Sequence, residues 1–126
     1  MIHGLHTIIY SDDADATRGF LSDVLGWPSI DAGGGWMIYR TPPAEMGVHP
    51  TVSEDGDQWA EAPHHQVSLM CDDIAAAVDE LRAKGAEITG EVEDEGWGLV
   101  THVTLPGAGA MMLYEPRHAV AHSLPS

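Results

Sequence analysis

Two periodicities alternate along this chain. Residues 5–10, with Leu5, Ile8, Ile9 and Tyr10, form a short apolar, β-branched run that predicts a strand. Asp12-Asp13 follows, and Phe20, Leu21, Val24 and Leu25 then fall on one face at helical spacing. The pattern predicts a helix over 14–25, capped by Asp12 or Asp13 and ended by Gly26. Residues 36–41 read as a strand behind the Gly33-Gly34-Gly35 turn, stopped by Pro42-Pro43. Residues 45–49 suit one more short strand before Pro50. The polar, acidic stretch 51–63, with Gly56, reads as a linker.

The pattern then restarts. Residues 66–71 predict a strand, and Asp72-Asp73 caps a helix over 74–84 whose inner face is Ile74, Ala77, Val78 and Leu81. Glu80 and Lys84 are spaced as a helix-supporting i,i+4 pair, and Gly85 ends the helix. Segments 87–92, 99–105 and 110–114 predict three strands, with Pro106-Gly107 turning the chain between the last two. From Arg117 the chain reads as a surface tail.

The halves superpose at a fixed offset. Asp12-Asp13 falls on Asp72-Asp73 sixty positions later, His6 on Gln66, Ile9 on Leu69 and Ala16 on Ala76. His49-Pro50 falls on Glu115-Pro116 with a slightly larger offset. One βαβββ unit used twice is the economical account. Each unit has a single helix to cover a single sheet face, so two units must pack or pair to hide the rest. The expected fold is therefore α+β in one domain spanning 1–126. Module 1 covers about 3–50, the linker 51–63, module 2 about 64–116 and the tail 117–126.

Composition narrows the functions. The apolar fraction is 44%, enough for a core without disulfides, and the single Cys71 suits a reducing compartment. The start, Met1 to His6, lacks a basic and an apolar signal region, and no run approaches a membrane span of about 20 apolar residues. The expected location is cytoplasmic. Twenty acidic against five basic residues give a net charge of −15, which argues against nucleic-acid or anionic-membrane partners. Eight histidines raise the question of a metal.

The repeat resembles the vicinal oxygen chelate superfamily, which includes glyoxalase I, extradiol dioxygenases and bleomycin resistance proteins. The resemblance runs from about Leu5 to Pro116. It is carried by His6-x-x-Ile9 leading into Asp13 and by Phe20-Leu21 with Leu25-Gly26-Trp27. In the second half it is carried by Leu69 to Ile74, Leu81, Lys84-Gly85, Gly96-Trp97-Gly98 and Leu113 to Pro116. It implies a glyoxalase/bleomycin resistance/dihydroxybiphenyl dioxygenase-like fold, with paired modules curling a mixed sheet into a cup, and commonly a homodimer. In the family's enzymes a divalent metal (Zn, Ni, Mn or Fe) sits in that cup and chelates adjacent substrate oxygens.

Carried over residue by residue, the ligand positions fall on His6, Met46, Gln66 and Met112. Two are thioethers, which suit soft metals rather than oxygen-chelating ions. In a shifted register His65, His49 and Glu115 would turn inward beside His6. Alternation instead favours Val67, Leu69 and Cys71 toward the helix, with Gln66, Ser68 and Met70 toward the cup.

Candidate ligand-binding residues are His6, Tyr10, Trp36, Met46, His49, Gln66, Trp97, Met112 and Tyr114, with Trp97 also placed to act as a lid. The candidate acid/base groups are His6 and Glu115. His118 reads as a surface residue. Three functions stay open. One is a small-organic-molecule binder lacking the full metal set. Another is a metal-dependent lyase, isomerase or dioxygenase acting on a vicinal-oxygen substrate. The third is a metal-free enzyme using His6 or Glu115.

Overall fold

The computed structural model describes residues 5–125. The expected module start near residue 3 lies outside them. The secondary structure is mixed: two helices, a two-stranded ladder and an open, mixed four-stranded sheet.

Helix α1 spans Ala14–Gly19. Asp13 caps it by accepting from the Ala16 N–H at 3.1 Å. The chain continues into a π-helical turn, Phe20–Val24, in which Leu25 N–H reaches back to Phe20 C=O. Gly26, at φ 70°, then takes the left-handed conformation that ends a helix, and Trp27 N–H closes on Leu21 C=O. Strands β1 (Ser29–Asp31) and β2 (Met37–Tyr39) form an antiparallel hairpin. Its Gly33-Gly34-Gly35 turn is held by Asp31 Oδ1, which accepts from the Gly33 and Gly35 N–H groups.

The second half forms a complete strand–helix–three-strand unit. It consists of β3 (Ser68–Met70), α2 (Ile74–Ala83), β4 (Glu93–Asp94), β5 (Gly98–Leu105) and β6 (Gly109–Pro116). The sheet order is β3-β6-β5-β4; β3 runs parallel to β6 and the other pairs are antiparallel. Asp73 caps α2 through the Ala76 N–H, and Lys84 meets Glu80 at 3.1 Å, the expected i,i+4 pair.

Both helices feed one core. Ile74 and Val78 of α2 and Phe20 of the first half are buried with Ile88, Val103, Leu105 and Leu113. Leu69, Cys71, Ala77, Leu81, Val24 and Leu25 pack around them. The first helix thus completes the cover over the second half's sheet. Because successive side chains alternate across a strand, Leu113 and Val103 mark the helix side. Met112, Tyr114, Val100 and His102 take the opposite face.

Three expected strands need correction. Residues 5–10 and 45–49 form no ladder. A strand holds only when its backbone groups find a partner, and the stretch 45–49 is bounded by Pro42-Pro43 and Pro50, which offer no N–H. Leu5, Ile8 and Tyr10 consequently lie 73%, 52% and 89% exposed. Segment 87–92 is also irregular. Glu87 C=O accepts from Thr104 N–H of β5 at 2.9 Å, Ile88 turns into the core, Gly90 adopts φ 85°, and strand pairing begins at Glu93.

Candidate functional site

The sheet face opposite the helices carries the best-organised candidate site. Strand register puts Met112 between Ser68 on β3 and His102 on β5. One step along, Tyr114 lies between Met70 and Val100. Gly98 makes room here: a Cβ on it would stand 3.3 Å from the Tyr114 ring and 2.9 Å from the Glu115 carbonyl oxygen.

Trp97 precedes Gly98 and meets Tyr114 edge to face, with ring centroids 5.4 Å apart and planes at 74°. Its loop is pinned at both sides. Asp94 Oδ1 accepts from Gly96 N–H at 2.9 Å, and Arg117 N–H donates to Trp97 C=O at 2.9 Å. Arg117 also donates to both Asp94 carboxylate oxygens, at 2.7 and 2.8 Å. The Gly96 N–H and then the Arg117 guanidinium hold the Asp94 carboxyl below its ordinary range.

Beyond Tyr114 the strand end brings in His118, whose Nε2 lies 3.4 Å from the phenol oxygen. Burial, and secondarily the Glu45 carboxylate, push the Tyr114 phenol up from its ordinary value. Glu45 comes from the first half, and its Oε2 accepts from Ala121 N–H at 2.6 Å. At neutral pH Tyr114 is therefore an intact phenol on an apolar, thioether-lined face.

A sequence profile of the Glyoxalase/Bleomycin resistance protein/Dioxygenase superfamily matches residues 4–119. The chain belongs to this superfamily. Solved members and neighbours share its fold. An antibiotic-binding protein, TnmS3 from Streptomyces, aligns at TM-score 0.62 and 17% identity, over 92% of this chain and 97% of the other. A superfamily member from Sphaerobacter thermophilus aligns at TM-score 0.58 and 26% identity, over 90% and 98%. A lactoylglutathione lyase from Agrobacterium tumefaciens aligns at TM-score 0.56 and 17% identity, over 90% and 92%. No curated protein matches the sequence.

Superfamily membership raises the question of a divalent metal, and the donors as placed do not fit one. Among the described residues no three His, Cys, Asp or Glu side chains converge. Glu115 lies on the helix side of β6, where its Oε1 accepts from Ile74 N–H at 3.0 Å and caps α2. Met112 holds the adjoining position on the open face and offers only a thioether. His65 and Gln66 are exposed ahead of β3, and Leu69 and Cys71 face the core. From Ser68 onward the chain adopts the register that alternation favours rather than the shifted one, whereas Val67, expected toward the helix, is exposed ahead of the strand.

Of the nine ligand-binding candidates, Trp97, Met112 and Tyr114 share the open face, and Gln66 is exposed outside the ladder. His6 and Tyr10 lie on the exposed segment 5–10. Trp36 and Met46 are exposed at 56% and 75%. His49 packs on Trp59 with centroids 4.3 Å apart, and its Nδ1 lies 2.9 Å from Pro50 C=O.

Two surface hollows are also present, the second adjoining the open face at Val100 and His102. One, about 570 Å³, is lined by Trp27, Pro28, Arg40, Pro42 and Pro43. The other, about 270 Å³, is lined by Glu91, Glu93, Glu95 and His102. The residues that sequence reasoning passed over are His118 and Glu45. Neither had a signal, because both meet Tyr114 only through the path of the folded chain.

Proposed function

We propose that this superfamily member binds a small organic molecule on the open face of its four-stranded sheet, as a protein of the bleomycin-resistance/glyoxalase type without a full oxygen-chelating metal set. The observation that carries the reading is the placement of Met112, Met70 and Tyr114 side by side on that face, with Trp97 standing over Tyr114. Thioether and aromatic walls with few polar groups are the usual lining of a small-molecule site, and methionine adapts to ligand shape. The shared fold of an antibiotic-binding protein supports the same reading.

A second copy is part of the proposal. The chain exposes 9406 Å². A compact monomer of 13.5 kDa would expose roughly 6,500 Å². The excess of about 2,900 Å² per chain, about 5,800 Å² for a pair, lies at the upper end of what obligate dimers bury. The partner copy proposed is a homodimer mate covering Leu5, Ile8, Tyr10, Met46 and Val48. Among the described residues no helix is long and apolar enough to cross a membrane. The free Cys71 thiol suits the reducing cytoplasm proposed as the location.

Calorimetric titration of chelator-treated protein with Zn²⁺, Ni²⁺, Mn²⁺ and anaerobic Fe²⁺ tests the metal half of this reading. No specific one-to-one binding is expected, and tight binding lost in His6→Ala would overturn it in favour of a metal-dependent lyase, isomerase or dioxygenase. NMR titration with small aromatic compounds tests the other half. Shifts confined to Met70, Trp97, Met112 and Tyr114 are expected, and shifts at the Trp27–Arg40 hollow would relocate the site.

A further inference from the structure

One carbonyl sets the direction of the hydrogen bonds at Tyr114. His118 Nδ1 lies 2.9 Å from the Ala119 carbonyl oxygen. A carbonyl has no proton to give, so in the neutral imidazole the N–H sits on Nδ1 and Nε2 carries a lone pair. Nε2 is the atom 3.4 Å from the Tyr114 hydroxyl. The phenol therefore donates its single proton to His118. Toward the open face Tyr114 shows only oxygen lone pairs.

The surroundings share that polarity. Trp97 and Tyr114 meet at 74° and form a corner of two π faces, which attract cations. The Glu45 carboxylate, held by Ala121 N–H, adds its negative field at the phenol. The nearby cation, Arg117, is already matched by both oxygens of Asp94. The net charge of −15 raises the local concentration of cations further.

We infer that this corner recognises a small organic ammonium ion bearing N–H groups. One N–H donates to Tyr114 Oη, the charge rests against the Trp97 and Tyr114 rings, and the apolar part lies along Met70 and Met112. Neutral donors satisfy the phenol but not the charge. Quaternary ammonium ions satisfy the charge but not the phenol. Carboxylates satisfy neither. The inference rests on the proposal that this face binds a small organic molecule, and it names the class.

The test is an NMR titration of the full-length protein with four probes of one shape: benzylammonium, benzyltrimethylammonium, benzyl alcohol and phenylacetate. Benzylammonium is expected to bind about tenfold tighter than each of the others, the factor a charge-assisted hydrogen bond supplies. Tyr114→Phe should remove the margin over benzyltrimethylammonium, which never had the N–H contact, and weaken benzyl alcohol by the few-fold one neutral hydrogen bond supplies. Equal binding of benzyl alcohol and benzylammonium would overturn the ammonium assignment while leaving the face a binding site. Equal binding of benzyltrimethylammonium would overturn the N–H contact with Tyr114. No binding of any probe would overturn the binding face and the inference together. The wild-type series decides the matter even if Tyr114→Phe fails to fold.

Discussion

The hydroxyl of Thr17 and the carbonyl oxygen of Pro106 lie 2.6 Å apart, though 89 residues separate them in the chain. Thr17 is 5% exposed. It has one proton, which goes to the Pro106 carbonyl. Ser11, 2.7 Å away, then donates to the Thr17 oxygen, while Ser11 Oγ accepts from Asp13 N–H. With Asp12 N–H on Gly107 C=O at 2.8 Å, this network seats the start of α1 on the β5–β6 turn.

Thr17→Val keeps the shape of the side chain and leaves the Pro106 carbonyl without its donor. A loss of about 1–3 kcal/mol is expected, as for a buried group left unsatisfied. Thr17→Ser should retain most of it. Urea unfolding of the two variants checks this, and equal midpoints would mean that the bond contributes nothing.

Gly107 is required by close approach as well as by conformation. Its φ is 80°, and a Cβ would stand 2.6 Å from Ser11 Oγ and 2.8 Å from the backbone nitrogen of Asp13. Gly107→Ala should cost about 1–3 kcal/mol. It should also separate the halves, seen as faster amide exchange at Asp12 and Asp13. Gly109, at φ 79°, meets nothing within 4 Å, so Gly109→Ala should cost only the conformational part.

Glu115 is a helix cap facing away from the open sheet face. Glu115→Ala should lower stability by about 1 kcal/mol, the usual value of a cap, with Asp73 still in place. Glu115→Gln keeps an acceptor oxygen and should lose less. Neither should change small-molecule affinity. A Gln variant of full stability but no ligand binding would assign Glu115 to the site instead.

The Cys71 thiol is pushed up from 9.0 to about 11, first by burial and then by Glu115, Asp72 and Asp73. Its Sγ also lies 3.6 Å from the Tyr114 carbonyl, a donor contact the thiolate loses. Alkylation by iodoacetamide should be slow at neutral pH in the folded chain and rise only toward pH 11. The unfolded thiol ionises first, so between 9.0 and about 11 only the folded chain keeps this proton. This contribution to stability is complete below 9.0 and is lost as pH rises through about 11. Fast alkylation at pH 8 in native conditions would contradict the assignment.

Local pattern was enough for much of the fold. The paired Asp caps, the apolar stripes of Phe20 with Val24 and of Ile74 with Val78, and Gly26 and Gly85 as helix ends are all short-range signals. Each rests on chemistry within a few residues: a carboxylate accepting from the first helical turn, a glycine tolerating positive φ, a 3.6-residue period. Side-chain alternation also determined the face of β3, because a one-residue slip would expose Leu69 and Cys71.

Tertiary structure decided what depends on a partner. Segments 5–10 and 45–49 have strand-like composition, yet a strand exists only where a neighbour supplies hydrogen bonds, and this chain supplies none to them. The repeat required the two units to pack or pair but not how; in the structure Phe20 of the first half lies in the core of the second. The site shows the same division. Met112 was singled out only by the resemblance, as a ligand position, and Tyr114 only as a candidate ligand residue; their common face follows from the β5–β6 register. His118 on the tail and Glu45 from the first half became neighbours of Tyr114 through chain paths that no local periodicity encodes. The role of Glu115 turned on which face of β6 lies over the N-terminus of α2, a packing choice made by the buried Leu113 beside it.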